Sequence, residues 1–185
     1  TNKVNSYNVY AGDKPIVLND YSIMLGRNSE PHTPLESLSN LSRTQALEMR
    51  IDLGDQTVDV DLPHDMMARL VRYMADKNYP HNGNFDCVSF AHWMLGEPYK
   101  YGAGVDLNRF EMDRIDSLDV LDPGDVVHMV DGNEFRNTKA RHAAVYIGHN
   151  LFLSKIGNWK ISVQNLKQLN DVYGNCGIFK QFPKD

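Results

Sequence analysis

The chain has 185 residues, a formal net charge of −5, 42% hydrophobic residues and 23% charged residues. This composition is typical of one globular domain with a sizeable core, and no apolar run is long enough to cross a bilayer. The acidic balance argues against a broad basic surface for phosphate groups, so we expect neither nucleic acid nor a membrane as a partner. The two cysteines, Cys87 and Cys176, allow at most one disulfide, which excludes a disulfide-rich scaffold.

The first residues of the chain predict little regular structure. Residues 1–32 are polar and irregular apart from one apolar trio at positions 16–18, so they predict mostly loop with a short strand. The sequence from Thr33 has the spacing of a capping box with proline at the first helical position, which predicts a short helix ending near Leu41. The chain begins at Thr1 without an initiator methionine, and we expect a processed protein or a domain of a longer one.

Two stretches of alternating apolar and charged residues come next. They run from Leu47 to Leu53 and from Val58 to Leu62, and they flank a turn that contains Gly54. This pattern predicts a β-hairpin with one buried face, while the aspartates on the other face are interpreted as solvated charge and not as metal ligands. We expect residues 1–62 to form an N-terminal extension with this hairpin, packed on a core of residues 63–185 within one compact domain.

Two helices are predicted after the hairpin. The first opens at Pro63 and runs to about Lys77, with an apolar face that includes its methionines. The second surrounds Cys87, because apolar residues follow that cysteine at helical spacing. Those residues are Phe90, Ala91, Met94 and Leu95. Asn84 and Asp86 are candidate caps of its amino end, and Gly96 ends it.

The position of Cys87 in the first turn of a helix has a chemical consequence. Unpaired backbone N–H groups and the positive end of the helix dipole favour a thiolate there, and a thiolate is a nucleophile. The alternative is that Cys87 is a small buried hydrophobic residue. Cys176 has no histidine near it in sequence, and we expect it to be inert.

The C-terminal half of the chain predicts an antiparallel sheet. Residues 98–119 are acidic and contain glycines and tyrosines, so they predict loop. The remaining expected elements are a turn at 122–125, strands at 126–130, 141–147 and 151–156, a helix from 163 to about 170, and a strand at 177–182. Helices precede the sheet, and the predicted fold class is α+β.

A cysteine hydrolase needs a thiol, an imidazole that accepts its proton and a polar group that orients the imidazole. Among the seven histidines, His142 is the best candidate base. It lies on a predicted strand, where it shares one face with Ala144 and Tyr146, and the small Ala144 leaves room in front of the ring.

Three motifs follow one another along the chain. They are Phe-Asp-Cys-Val-Ser-Phe around Cys87, Leu-Asp-Pro-Gly-Asp-Val-Val at 121–127 and His-Ala-Ala-Val-Tyr-Ile-Gly at 142–148. As an ordered set, covering roughly residues 79–157, they resemble the NlpC/P60 group of papain-like cysteine peptidases. The resemblance implies a papain-like α+β fold with a catalytic cysteine at Cys87 and a base at His142. The chain departs from the family where Val-Ser follows the cysteine in place of Ser-Gly.

Members of this group mostly cleave peptide or amide bonds in bacterial cell walls, and relatives are deamidases, acyltransferases and toxins. The resemblance implies a peptidase or amidase that forms an acyl-enzyme on Cys87, needs no cofactor or metal, and acts as a monomer on a peptide or protein. It also implies a bacterial secreted enzyme, toxin or effector. Deamidase, transglutaminase or acyltransferase chemistry uses the same thioester and stays open, as does a non-catalytic binding module that keeps the fold.

The family's third catalytic position lies twelve residues after the base, at Ser154 in this chain. Strand register decides whether Ser154 faces His142. A three-residue loop over residues 148–150 puts Ser154 on that face, whereas a two-residue loop puts Lys155 there instead. The alternative orienting residues are His128, Asn158 and Asp171.

The expected substrate groove is partly aromatic. Its residues are Tyr79, Asp86, Tyr99, Tyr101 and Trp159. The acidic run at 111–125 favours a neutral or cationic substrate, and the backbone N–H of Cys87 is the expected oxyanion donor. A zinc enzyme is the remaining alternative, with Cys87, His128, His142 and His149 as possible ligands, but no pair of them has the close spacing of a zinc motif.

Overall fold

The computed structural model describes residues 3–11, 14–20, 47–75, 86–97, 104–156 and 161–185, with the backbone alone considered for Ala11, 14–20 and 72–75. These residues form three helices, three single turns of 3-10 helix and ten strands in two antiparallel sheets. The predicted α+β class is therefore confirmed. No helix among the described residues has the length and apolar character needed to cross a membrane.

The first sheet has four strands in the order β2-β1-β3-β4. They are β1 (Ser6–Ala11), β2 (Lys14–Asp20), β3 (Leu47–Asp52) and β4 (Thr57–Val60). The pairing of β3 with β4 confirms the predicted hairpin, whose buried positions include Met49, Ile51 and Val60. Alternation with charged residues explains why this hairpin could be predicted from sequence.

Within residues 1–32, the predicted loop is wrong for β1 and for the outer residues of β2, whereas the short strand expected at 16–18 lies within β2, and residues 21–32 lie outside the described residues. Strands β1 and β2 form a hairpin there, and β1 also pairs with β3 along its whole length. The apolar signal of β1 is short, because only Tyr7 and Val9 alternate with polar neighbours that are half-buried in the sheet. The helix predicted from Thr33 to Leu41 lies outside the described residues.

Two helices follow the first sheet. Helix α1 (His64–Ala75) begins directly after Pro63, and helix α2 (Cys87–Met94) begins after Asp86, whose carboxylate accepts a 3.0 Å hydrogen bond from the backbone N–H of Ser89. The predicted cap and the buried face of α2, made by Phe90, Ala91 and Met94, are confirmed. Leu95 was expected on that face but is 40% exposed, because it is the C-cap residue where the chain leaves the helix.

The second sheet has six strands in the order β5-β10-β6-β7-β8-β9. The strands are β5 (Phe110–Ile115), β6 (Val126–Val130), β7 (Ala140–Gly148), β8 (Leu151–Lys155), β9 (Ile161–Asn165) and β10 (Gly177–Pro183). Helix α3 (Leu166–Tyr173) lies between β9 and β10 in sequence. The 3-10 turns are Leu107–Arg109, Leu118–Val120 and Asn137–Lys139.

Two predictions for this half of the chain are wrong. Residues 98–119 do not form loop throughout, since β5 pairs with β10 at the sheet edge, where half of its side chains stay in water and weaken the apolar signal. Residues 163–165 are not helical but belong to β9, which pairs with β8. Helix α3 starts only after Asn165, whose side chain forms a capping box with Gln168.

Both faces of the second sheet are covered by helices. Ala143, Val145 and Ile147 belong to a cluster that contains residues of the first sheet, α1 and α2, which we call the α2-face cluster. Ala144 and Tyr146 belong to a second cluster that contains Leu169 of α3, which we call the α3-face cluster. The alternating faces predicted for this strand are therefore confirmed.

The connection between β7 and β8 sets the register of the site. Gly148 pairs with Leu151 across a two-residue turn, but the register then shifts, so that Ile147 bulges and Tyr146 pairs with Phe152. A two-residue turn without this bulge would have placed Lys155 on the face of His142. The bulge places Ser154 there instead, as the three-residue alternative predicted.

The turn generates a first prediction. Gly148 has φ +87°, and an alanine there costs about 1–2 kcal/mol because an L-residue is strained in the left-handed region. The added Cβ would lie 3.5 Å from Pro123 Cγ, an ordinary contact, so the cost comes from the backbone. We expect Gly148→Ala to lower Tm by a few degrees, at about 2–4 °C per kcal/mol for a chain of this size.

Gly104→Ala is the matched control. An added Cβ at Gly104 meets no atom of the described residues within 4 Å, and its φ is not in the left-handed region. Thermal unfolding of the two variants should therefore separate them. Equal melting temperatures would contradict the strain argument.

Candidate functional site

Cys87 is the first residue of α2, and its side chain packs against the α2-face cluster. Three backbone N–H groups, those of Ala143 on β7, of Val88 and of Cys87 itself, lower the pKa of its thiol. Ala143 follows His142 directly in the chain, so the nucleophile candidate lies near the start of β7, where the candidate base stands.

The start of α2 is expected to favour a thiolate at Cys87, and burial opposes this effect. Burial raises the pKa of the Cys87 thiol from 9.0 to about 11, and the neighbouring carboxylate of Asp86 raises it further. The amide of Ala143 lowers the pKa but does not offset burial. Cys87 is therefore a neutral thiol at pH 7.

His142 is held by two contacts. Its Nε2 lies 2.8 Å from Ser154 Oγ, and its ring stacks on the ring of Tyr173 with centroids 4.2 Å apart and planes inclined by 16°. The side chain is only 2% exposed. Ser154 thus holds the edge of the imidazole ring by a hydrogen bond, and Tyr173 covers the face of the ring.

Burial also controls the charge of His142. It lowers the pKa of the imidazole to about 3, with a smaller contribution from His128. The ring is therefore neutral at physiological pH. Nδ1 has no hydrogen-bond partner among the described residues, so Nδ1 can carry the lone pair while Nε2 donates to Ser154 Oγ. A neutral imidazole with a free lone pair is what a general base requires.

The nucleophile and base candidates approach from opposite faces of the sheet. Cys87 packs with the α2-face cluster, whereas His142 stacks on Tyr173, which packs against the α3-face cluster. They are brought together at the His142–Ala143 peptide. Nδ1 has no hydrogen-bond partner among the described residues, so the thiol does not donate to it in this structure.

The other candidates for the orienting residue are bound elsewhere. His128 Nε2 donates to Gln181 Oε1 at 2.8 Å, on the α2 side of the sheet. Asp171 is exposed on α3 and pairs with Lys167. Asn158 lies outside the described residues. Of the candidates that the structure describes, Ser154 is thus the one that contacts His142.

Tyr173 was missed by the sequence reasoning, and Lys155 was considered only as a residue that could face His142. Tyr173, the last residue of α3, was missed because nothing in sequence indicates which strand side chain a helix end will cover. Lys155 is fully buried at the end of β8, and it interacts electrostatically with Asp86 and Cys87. The sequence signal for Lys155 was a lysine within an otherwise apolar strand.

The predicted substrate groove lies mostly outside the described residues. This is so for Tyr79, Tyr99, Tyr101 and Trp159. Asp86 is described, and its exposed carboxylate caps α2. A separate cavity of about 260 Å³ is lined by residues of β5, α3 and β10 and includes Cys176, but it contains neither Cys87 nor His142.

Neither cysteine forms a disulfide, and Cys176 Sγ donates to the backbone oxygen of Tyr173 at 3.7 Å. Within the described ranges, no three histidine, cysteine, aspartate or glutamate side chains converge as metal ligands. His149, one of the zinc ligands considered, instead contacts the backbone oxygen of Asp59.

Comparisons of the chain with protein-family models, with curated proteins and with solved structures gave no significant match.

The buried histidines generate a second prediction, for stability against pH. Burial lowers the folded-state pKa of His142 to about 3 and that of His128 to about 4, both below the value of about 6.5 for an unfolded chain. Below pH 6.5 the unfolded state therefore binds protons that the folded state does not, and stability falls as pH drops toward 4. Each histidine should contribute about 1.4 kcal/mol per pH unit.

Urea unfolding at several pH values between 7 and 4.5 measures this slope. His128→Phe should remove about half of the histidine contribution, and His64→Gln, which changes an exposed side chain on α1, is the matched control. An acid slope that is unchanged in His128→Phe would contradict the assignment of a neutral buried imidazole.

Proposed function

We propose that the chain is a papain-like cysteine hydrolase that cleaves an amide or isopeptide bond of a peptide or protein through an acyl-enzyme on Cys87. The observation that carries this proposal is the hydrogen bond from His142 Nε2 to Ser154 Oγ. It leaves Nδ1 of the same ring without a hydrogen-bond partner among the described residues. The next residue in the chain is Ala143, whose amide lowers the pKa of the Cys87 thiol. A thiol, an imidazole and an orienting hydroxyl are the three parts that this chemistry needs.

The topology supports the papain-like form of the proposal. A helix that opens with Cys87 packs on an antiparallel sheet, the Pro-Gly-Asp turn at 123–125 leads into β6, and His142 lies on β7. The three motifs that resemble the NlpC/P60 group thus lie on elements that contact one another. A secreted bacterial enzyme or effector acting on wall peptide or host protein is the role that this resemblance favours.

The first step would be attack on the carbonyl carbon. The Cys87 thiol gives its proton to His142 Nδ1 while the sulfur bonds to that carbon, and the carbonyl π electrons move to oxygen. We expect the N–H of Cys87 at the start of α2 to donate to this oxyanion, because the first amides of a helix have no intrahelical acceptor. When the oxyanion collapses, the C–N bond breaks and the leaving amine takes the proton from Nδ1.

Water then completes the cycle. It gives a proton to Nδ1 and attacks the thioester, and the sulfur leaves and regains its proton from the imidazolium. Because thiol and imidazole are both neutral at rest, proton transfer accompanies attack and does not precede it. The amide of Ala143 stabilises charge on the sulfur during this transfer.

A second candidate is a non-catalytic binding module that keeps this fold. The specific observation in its favour is the combination of a thiol pKa of about 11 with a nearly inaccessible imidazole. Formation of a covalent acyl adduct separates the two candidates, since a binding module forms none.

A third prediction tests the acyl-enzyme. Incubation with wall peptides, glutamine-bearing proteins and ubiquitin-like isopeptides, followed by intact mass measurement and peptide mapping, should place an acyl group on Cys87. Cys87→Ala should abolish the adduct, and Cys176→Ala should retain it, because Cys176 is hydrogen-bonded away from the site. An adduct on Cys176, or turnover by Cys87→Ala, would contradict the proposal.

A fourth prediction concerns Ser154. Removal of its hydroxyl leaves Nε2 without its partner and frees the ring to change tautomer, and we expect Ser154→Ala to lower kcat about tenfold, the equivalent of one hydrogen bond of about 1.4 kcal/mol. Ser162→Ala is the matched control, since Ser162 pairs with Ser154 across the strands and is buried without a hydrogen-bond partner among the described residues. Equal losses in the two variants would mean that Ser154 acts only through packing.

A further inference from the structure

The ring of Tyr173 lies flat against the imidazole of His142. The two centroids are 4.2 Å apart, and the planes differ by only 16°. The aromatic contact of another buried histidine is different, since the ring of Phe135 is inclined by 76° to that of His128. A nearly parallel ring covers one face of an imidazole, whereas a steeply inclined ring touches it with an edge. Tyr173 therefore closes one whole face of His142.

The end of α3 holds Tyr173 in this position. Leu166, Leu169 and Tyr173 recur at the spacing of one helix face, and this face packs with the α3-face cluster. The backbone oxygen of Tyr173 accepts a 3.7 Å hydrogen bond from Cys176 Sγ. Strands β9 and β10 of the same sheet precede and follow the helix, so both of its ends are attached to the sheet that carries His142.

We propose that Tyr173 is a positioning residue for His142, whose ring fixes the plane of the imidazole and excludes water from one of its faces. The inference rests on the proposed function in taking His142 as the base. The hydrogen bond between Nε2 and Ser154 Oγ restrains only one edge of the imidazole. A second ring stacked on the face restrains the plane as well, so that Nδ1 keeps one direction, as a general base requires.

The groups around His142 leave its charge to be decided by access to water. The titratable side chains on the neighbouring elements are neutral at physiological pH, and they are Cys87 of α2, His128 of β6 and Tyr173 of α3. The neighbour on β7, Arg141, is exposed and forms an ion pair with Asp131 at 3.0 Å. Burial is the main cause of the low pKa of His142. Removal of the ring that covers it should therefore raise this pKa.

A role in packing and a role in positioning predict different results. If Tyr173 only fills space, its removal loosens the sheet in general, and both buried histidines become accessible to water. If it positions His142, the change is confined to that ring. His128 lies on the opposite face of the sheet, where its Nε2 is held 2.8 Å from Gln181 Oε1, and it serves as an internal reference.

The experiment is proton–nitrogen NMR of the histidine rings between pH 8 and 5, which reports the tautomer and the charge of each imidazole. The His142 signals are identified by their absence in His142→Asn. We expect wild type and Tyr173→Phe to show the Nε2–H tautomer without titration in this range, because both keep a ring on the imidazole. In Tyr173→Ala, His142 should titrate with a pKa that approaches its ordinary value of about 6.5.

Val172→Ala is the matched control. Val172 precedes Tyr173 on α3 but is 47% exposed, so its truncation should leave the spectra of both buried histidines unchanged. Should Tyr173→Ala fail to fold, Tyr173→Leu keeps an apolar side chain without a flat ring. In that variant the Nε2 proton of His142 should exchange with water about tenfold faster than in wild type, while the ring of His128 is unaffected.

A His142 ring that keeps its tautomer, charge and exchange rate in folded Tyr173→Ala or Tyr173→Leu would overturn the inference. Equal changes in His128 would also overturn it, as would Tyr173→Phe behaving like Tyr173→Ala. The measurement needs no substrate, so it is independent of the acyl-enzyme test. An acyl adduct on Cys87 with an unchanged His142 ring would keep the hydrolase proposal and reject this inference, and a released ring without any adduct would do the reverse.

Discussion

The register between β7 and β8 is the constraint on which the site depends. Side chains alternate between the two faces of a strand, so one bulged residue reverses the face of every residue beyond it. The bulge at Ile147 brings Ser154 to Nε2 of His142 and places Lys155 on the face of Cys87. Without it, the side chain of Lys155, and not the hydroxyl of Ser154, would share the face of His142. One irregular turn thus gives His142 its hydrogen-bond partner.

Burial has the larger effect on the charges of the site. The rise in the pKa of Cys87 from 9.0 to about 11 corresponds to roughly 3 kcal/mol. A helix dipole typically contributes 0.3–1 kcal/mol at a terminus, so it cannot restore the thiolate alone. The same desolvation lowers the pKa of His142 and keeps its imidazole neutral. Desolvation therefore leaves both the thiol and the imidazole neutral at physiological pH.

Much of the sheet and of the catalytic candidates could be predicted from the sequence, for identifiable reasons. The hairpin of β3 and β4 and the strands β6 to β8 have strong apolar patterns, and Cys87 stands between a capping aspartate and an apolar helix face. The edge strand β5 and the start of α3 were missed because one is half-exposed and the other begins at a capping box inside an apolar run. The effect of burial on the thiol pKa was not predicted, because sequence indicates a helix terminus but not how deeply it is buried.

The division of the site between two layers has a mechanical consequence. Cys87 is fixed by α2 and its cluster, whereas His142 is fixed by Ser154 and by the ring of Tyr173 on α3. Their common point is the peptide between His142 and Ala143, whose N–H lowers the pKa of the thiol. The relative position of thiol and imidazole is therefore determined by how two packed cores sit on one strand, and not by a loop. Packed cores resist continuous deformation, so this arrangement is more rigid than one held by a loop.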